Sequence, residues 1–177
     1  MDVERLRYPI GLFEPVTNPT FAQRGEWIRD IEAIPEQVRL TVQSLTPEQL
    51  TTPYRPGGWT VQQVVHHMAD NDMNAFIRFK RALTEECPLA GSYREDLWAQ
   101  LDDYNVPVEI SLVLMKAVHD RFAALLRSMR ENEFERSFIS QTHGSMSLNE
   151  AVQRYVWHGR HHLAQLLSLR ERMGWNN

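Results

Sequence analysis

The sequence predicts an all-α protein, a four-helix bundle. Three observations predict it. Four long stretches repeat apolar residues with the period of a helix, proline and glycine cluster between those stretches, and two of the stretches open on capping patterns. The first helix is expected from Phe21 to Leu45, with Pro35 as a kink or break in its middle, because proline removes a donor and crowds the preceding turn. The second follows the turn YRPGGW, opens at Thr60 with Gln63 three places on, and continues through VVHHMADNDMNAFIRFKRAL. The third occupies Val108 to Met129. The stretch from Arg136 to Met146 alternates poorly and leaves a short hairpin open. The fourth helix opens at Ser147, with Glu150 three places on, and runs to Arg172 before Gly174 stops it. Bundles of this kind build their sites from side chains on facing helices.

A chain of 177 residues can bury one core but not two substantial ones, so residues 1–177 read as a single domain. With 19 basic against 23 acidic residues and no basic stripe, nucleic acid is not an expected partner. There is no run of about 18 apolar residues, and MDVERLRYPIG places acids where a signal peptide would be basic and then apolar. No membrane is expected, and the cytoplasm is the expected compartment. The single cysteine, Cys87, excludes a disulfide framework and a thiolate cage; with no cation beside it, it reads as an inert surface thiol.

Five of the seven histidines fall in two places, His66 and His67 on the second helix and His158, His161 and His162 on the fourth. At about 100° per residue, the apolar face of the fourth helix passes through Leu148, Val152, Tyr155, Leu163 and Leu166. His162 lies within that face, His158 at its edge, and His161 nearly opposite. On the second helix His67 flanks the face set by Val61, Val64, Val65, Met68, Ala75 and Phe79. It shares a polar stripe with Asn71, Asn74 and Arg78, while His66 lies farther out on the other flank. Two imidazoles one turn apart can ligate one ion, and a third from a facing helix completes a set with open positions. His67, His158 and His162 are therefore the expected ligands of one divalent metal ion per chain, at about 2.1 Å. A single one of these rings would read more simply as a core-edge histidine. The glutamate of the zinc-protease motif HExxH is missing, since Gly159 follows His158.

At these residues the chain resembles the DinB-like superfamily of metal-binding four-helix bundles. The tryptophan that precedes the first metal histidine by eight positions corresponds to Trp59 and His67, and the pattern HxxxH with a following glutamine to His158, His162 and Gln165. More narrowly, YPIG at Tyr8, TPYRPGGWTVQQVVHHMADNDMN from Thr52, YVWHGRHHLAQL from Tyr155 and the ending RMGW resemble the YfiT-type branch, described as metal-dependent hydrolases and as bacillithiol S-transferases. The resemblance extends from Tyr8 to Trp175. It implies a cytoplasmic homodimer that holds zinc or nickel through three histidines.

Two reactions fit such a site. In a transferase, the ion binds the sulfur of a low-molecular-weight thiol and lowers its pKa, and the thiolate attacks an electrophilic small molecule. In a hydrolase, the ion brings the pKa of bound water to about 7 and hydroxide attacks an ester or amide. The family resemblance favours the transferase. So does the lack of a recognisable carboxylate base, because Asp70 falls on the outer face and reads as a solvated residue or a support behind the ligands rather than a catalyst. Asn71, Asn74 and Arg78 are candidates for binding an anionic thiol cofactor, against a plain polar helix edge or dimer contact. A third reading is a non-catalytic metal-binding dimer, which a fourth protein ligand would favour. Trp27, Trp98 and Trp157 read as packing.

Overall fold

Thr60 and Ser147 decide where the two histidine-bearing helices begin. Each hydroxyl accepts the backbone N–H three residues on, from Gln63 and Glu150, and Gln63 answers by accepting the Thr60 N–H at 3.0 Å. The computed structural model describes residues 3–175. Along the chain run α1 (Val3–Arg7), α2 (Phe21–Val42), α3 (Pro47–Leu50), α4 (Val61–Thr84), α5 (Glu95–Trp98), α6 (Val108–Ser128), strands β1 (Ser137–Ser140) and β2 (Gly144–Ser147), and α7 (Leu148–Met173). The four long helices α2, α4, α6 and α7 form the expected bundle, with α2 and α4 each packed against both α6 and α7. Gly174, at φ 66°, ends α7 in the left-handed conformation that glycine adopts without strain.

The stretch after Arg136 is a hairpin. β1 and β2 pair antiparallel, Phe138 opposite Met146, and both side chains are buried in the core. That pairing takes the alternation the sequence showed poorly and fixes the turn 140–144 beside α7.

Pro35 neither ends nor breaks its helix: α2 is continuous from Phe21 to Val42. A proline at 35 has no N–H for the carbonyl of Ile31 one turn earlier, and a buried unpaired carbonyl is costly. His119 on α6 supplies the missing donor, its Nδ1–H bonding to that carbonyl.

The apolar interior falls into two clusters. One gathers Phe79, Phe122, Phe138 and Val152, the other Ile34, Val64, Met115 and Leu166. On three of the long helices buried polar residues stand near the boundary between them: His67 and Asp72 on α4, His119 on α6, and His161 and His162 on α7. The bundle thus carries a polar layer across its middle.

Candidate metal centre

His67, His158 and His162 meet in that layer. The Nε2 atom of His158 stands 3.1 Å from that of His67 and 3.2 Å from that of His162, and the three ligand atoms lie within 4.8 Å of one another. Imidazole nitrogens about 2.1 Å from a common ion stand roughly 3.0–3.4 Å apart for right-angled to tetrahedral coordination. The spacing therefore fits one ion.

The chemistry of the rings fits as well. His67 and His162 are buried and His158 is partly exposed. Burial and then neighbouring histidines, His161 among them, push all three below the ordinary histidine value, His67 to about 4. They are uncharged at neutral pH, with one ring nitrogen each free of a proton, the form that binds metal. Gln165 fixes one tautomer: its Nε2 donates to the Arg7 carbonyl at 2.8 Å, which turns Oε1 toward His162 Nδ1, also at 2.8 Å. Nδ1 must carry the proton, so Nε2 presents its lone pair to the shared point. Asn71 contacts His158 Nδ1 through its amide Nδ2 at 3.1 Å. As placed, that contact leaves the His158 proton on Nε2; with the amide turned over, Oδ1 would stand in the same place and hold His158 in the ligating tautomer. His67 Nδ1 is buried with no partner among the described residues.

The rest of the α7 motif follows from packing. A Cβ on Gly159 would sit 2.6 Å from Ile34 Cδ1, in the core of α2. The glutamate of HExxH could not occupy this position without displacing the Ile34 side chain.

His66 and His161, which the helical wheel turns away from the apolar faces, are also buried. His66 donates through Nε2 to the Val106 carbonyl at 3.1 Å, leaving Nδ1 to accept from Ser111 Oγ at 2.7 Å. The segment leading into α6 covers that flank. His161 lies under the N-terminal segment, stacked on Trp157 at 4.7 Å and 5.6 Å from the Tyr8 ring, with Nε2 accepting from Gln165. Neither ring joins the cluster of three. Asp70, expected on the outer face, is partly buried and accepts from Tyr104 Oη at 2.6 Å.

Two cavities open from this point, and His158 and Trp157 line both. The first, about 370 Å³, contains the three rings, with Trp59 4.5 Å from His67 and with Arg7, Arg55 and Glu95 in its wall. Glu95 is a carboxylate that the sequence reading missed. It comes from the short helix α5, in a stretch with no periodicity to place it. Desolvation and then Asp96 push its carboxyl above the ordinary value. The second cavity, about 210 Å³, holds Asn71 and Arg78 beside His158. Arg78 donates to Tyr155 Oη at 3.2 Å and to the Gly91 carbonyl at 2.7 Å. Asn74, the third candidate for cofactor binding, instead bonds back to the Asp70 carbonyl at 2.8 Å. Cys87 is exposed and far in character from this chemistry.

A four-helix bundle with three convergent imidazoles and an open approach defines a class, the histidine-ligated metalloproteins of bundle fold. The chain belongs to the DinB superfamily, whose pattern matches residues 30–166. It is 48% identical over 169 residues to a protein of Oceanobacillus iheyensis provisionally named a metal-dependent hydrolase, covering 96% of this chain and 98% of that one. A Bacillus mycoides protein of the same provisional name is 45% identical over 170 residues, with the same coverage. Among solved structures, YfiT from Bacillus subtilis, described as a probable metal-dependent hydrolase with an unusual four-helix bundle topology, superposes with a TM-score of 0.95. The identity is 42%, over 97% of this chain and 99% of that one. The four-helix bundle protein TT2238, at 18% identity and a TM-score of 0.56, shares the fold.

Proposed function

We propose that the protein is a metal-dependent S-transferase that joins a low-molecular-weight thiol of the bacillithiol type to an electrophilic small molecule. The observation that carries this reading is the pair of cavities meeting at His158, room for two reactants on either side of one centre. A divalent ion, zinc or nickel, held by His67, His158 and His162 supplies positive charge that lowers the pKa of a group bound to it. Asn71 and Gln165 orient the rings, and Arg7 and Arg55 make the larger cavity attractive to anions. In the transfer, a sulfur–carbon bond forms as the bond to the leaving group breaks. The leaving group departs with the bonding pair, and the thiol proton passes to solvent or to the Glu95 carboxylate. Asn71 and Arg78 are the proposed contacts to the anionic thiol, and Asn74 drops to a supporting role behind Asp70.

A second reading, metal-dependent hydrolysis, is favoured by one observation: Glu95 in the wall of the histidine cavity is a carboxylate able to accept a proton from water. The names of the relatives agree with it. The same proposal makes the protein cytoplasmic, where thiols stay reduced, and no helix among the described residues is long and apolar enough to cross a membrane. It also makes the protein a homodimer, and sedimentation would read the mass.

The test loads the purified protein with zinc or nickel and follows loss of 1-chloro-2,4-dinitrobenzene with and without bacillithiol or cysteine. Thiol-dependent acceleration that vanishes in His162→Ala is expected. Ester or amide hydrolysis without added thiol, and no thiol-dependent turnover, would replace the transferase with the hydrolase.

A further inference from the structure

The 210 Å³ cavity on the far side of His158 has a charge balance of its own. Arg78, Arg154 and His143 line it, and no aspartate or glutamate does among the described residues. Arg78 is partly buried, and both of its hydrogen-bond acceptors, Tyr155 Oη and the Gly91 carbonyl, are neutral. A guanidinium withdrawn from water with only neutral acceptors keeps a charge that favours an anion. Arg154 comes from α7, one turn before His158. Its guanidinium lies 4.4 Å over the Phe13 ring, and Nε pairs with Glu150 at 3.2 Å, a carboxylate that does not line the cavity. His143 stands in the turn between β1 and β2 and lines the same cavity; its pKa is lowered first by desolvation and then by Arg154, with Glu150 opposing. Phe138, Met146 and Tyr155 supply apolar surface between this rim and His158.

We propose that this cavity binds the carboxylate end of one of the two reactants, a small organic acid with an apolar body. Arg78 and Arg154 receive the carboxylate, the hairpin turn with His143 closes the rim, and the body lies on Phe138 and Met146 with its other end toward His158. The proposal deepens the two-reactant reading and rests on it only for which reactant is bound. The carboxylate belongs either to the thiol or to its electrophilic partner, and the hairpin then selects that reactant.

Calorimetric titration with 4-nitrobenzoate and its uncharged isostere 4-nitrobenzamide tests the cavity directly. In the metal-loaded protein the acid should bind about tenfold tighter or more, the scale of one charge-assisted hydrogen-bond pair. Arg154→Gln should remove that preference, and Arg78→Lys should reduce it, since lysine keeps the charge but not the fork. His162→Ala, which lacks the metal, should keep it. Equal binding of acid and amide overturns the proposal. So does a preference that survives Arg154→Gln but disappears in His162→Ala, because the acid would then sit on the metal. Kinetics assign the source. 3-Mercaptopropionate is compared with 2-mercaptoethanol against a neutral electrophile, and 4-(chloromethyl)benzoate with 4-(chloromethyl)benzamide against a neutral thiol. A lower KM for the acid of one pair, lost in Arg154→Gln, names the reactant; equal KM within both pairs overturns the assignment to a reactant. Absence of any thiol-dependent turnover alongside the acid preference would defeat the transferase while leaving the cavity's specificity standing.

Discussion

Two histidine clusters share the middle layer of this bundle and behave in opposite ways. At His119 every ring nitrogen has an acceptor. Nδ1–H bonds to the carbonyl that Pro35 leaves free, and Nε2–H bonds to Asp72 Oδ2 at 2.7 Å. Two donated bonds make the ring an imidazolium, so although desolvation opposes the charge, Asp72 and the carbonyl carry the pKa above its ordinary value. At His67, His158 and His162 three Nε2 atoms face one another with no acceptor at the shared point, and burial drives the protons off. Burial alone therefore does not mark a functional histidine. The direction of the lone pairs does.

The largest effects should separate the clusters cleanly. His158→Ala and His162→Ala should abolish metal binding, whereas His66→Ala and His161→Ala should leave the metal content of the purified protein nearly unchanged; plasma emission analysis reads both. If His161→Ala stripped the metal, the choice of three rings would be wrong. At the other cluster, Asp72→Ala leaves a buried imidazolium uncompensated and should cost about 3–5 kcal/mol of stability with metal binding retained. Denaturant unfolding measures it, and loss of metal without loss of stability would erase the contrast.

Acid and base sharpen the difference, because the two clusters have opposite signs. The folded pKa of His119 lies above the unfolded value, so its contribution is complete below about pH 6.5 and is lost as pH rises through the raised value. For metal-free protein the folded pKa of His67 is lowered to about 4, so stability is lost as pH falls from 6.5 toward 4. Unfolding measured across this range should lose the first slope in His119→Leu, and in His67→Leu the second should become shallower without vanishing, because His158 and His162 contribute to it as well.

Smaller effects test the supports. Gln165→Met should lower metal affinity about 10–100-fold, as loss of a ligand-orienting partner does, with little change in fold. Gly159→Ala should cost about 1–3 kcal/mol, because its Cβ presses Ile34 into a filled core. An unchanged melting temperature in Gly159→Ala would show that α2 and α7 can part without penalty.

Much of this was legible in the chain. The caps at Thr60 and Ser147, the four helical periods and the convergence of His67, His158 and His162 are local or depend on one helix facing another, and the wheel captures such relations. What it could not capture was set by long-range cover. His66 and His161 read as outward because the segment before α6 and the N-terminal segment, which bury them, have no helical period to dock against. Pro35 read as a kink or break because the donor that pairs the freed Ile31 carbonyl, His119, lies 88 residues along the chain from it. Glu95 went unseen for the same reason, since only the path of the loop before α5 brings it to the cavity. With Glu95 in its wall, the histidine cavity does contain a carboxylate.

In the proposed centre three neutral imidazoles, and no fourth side chain, hold one ion. Anomalous diffraction from crystals of the zinc-loaded protein tests this in one measurement. A single strong peak is expected about 2.1 Å from Nε2 of His67, His158 and His162, with a remaining position open toward the cavities. A peak elsewhere, or one closed by a fourth protein ligand such as His161, would contradict it.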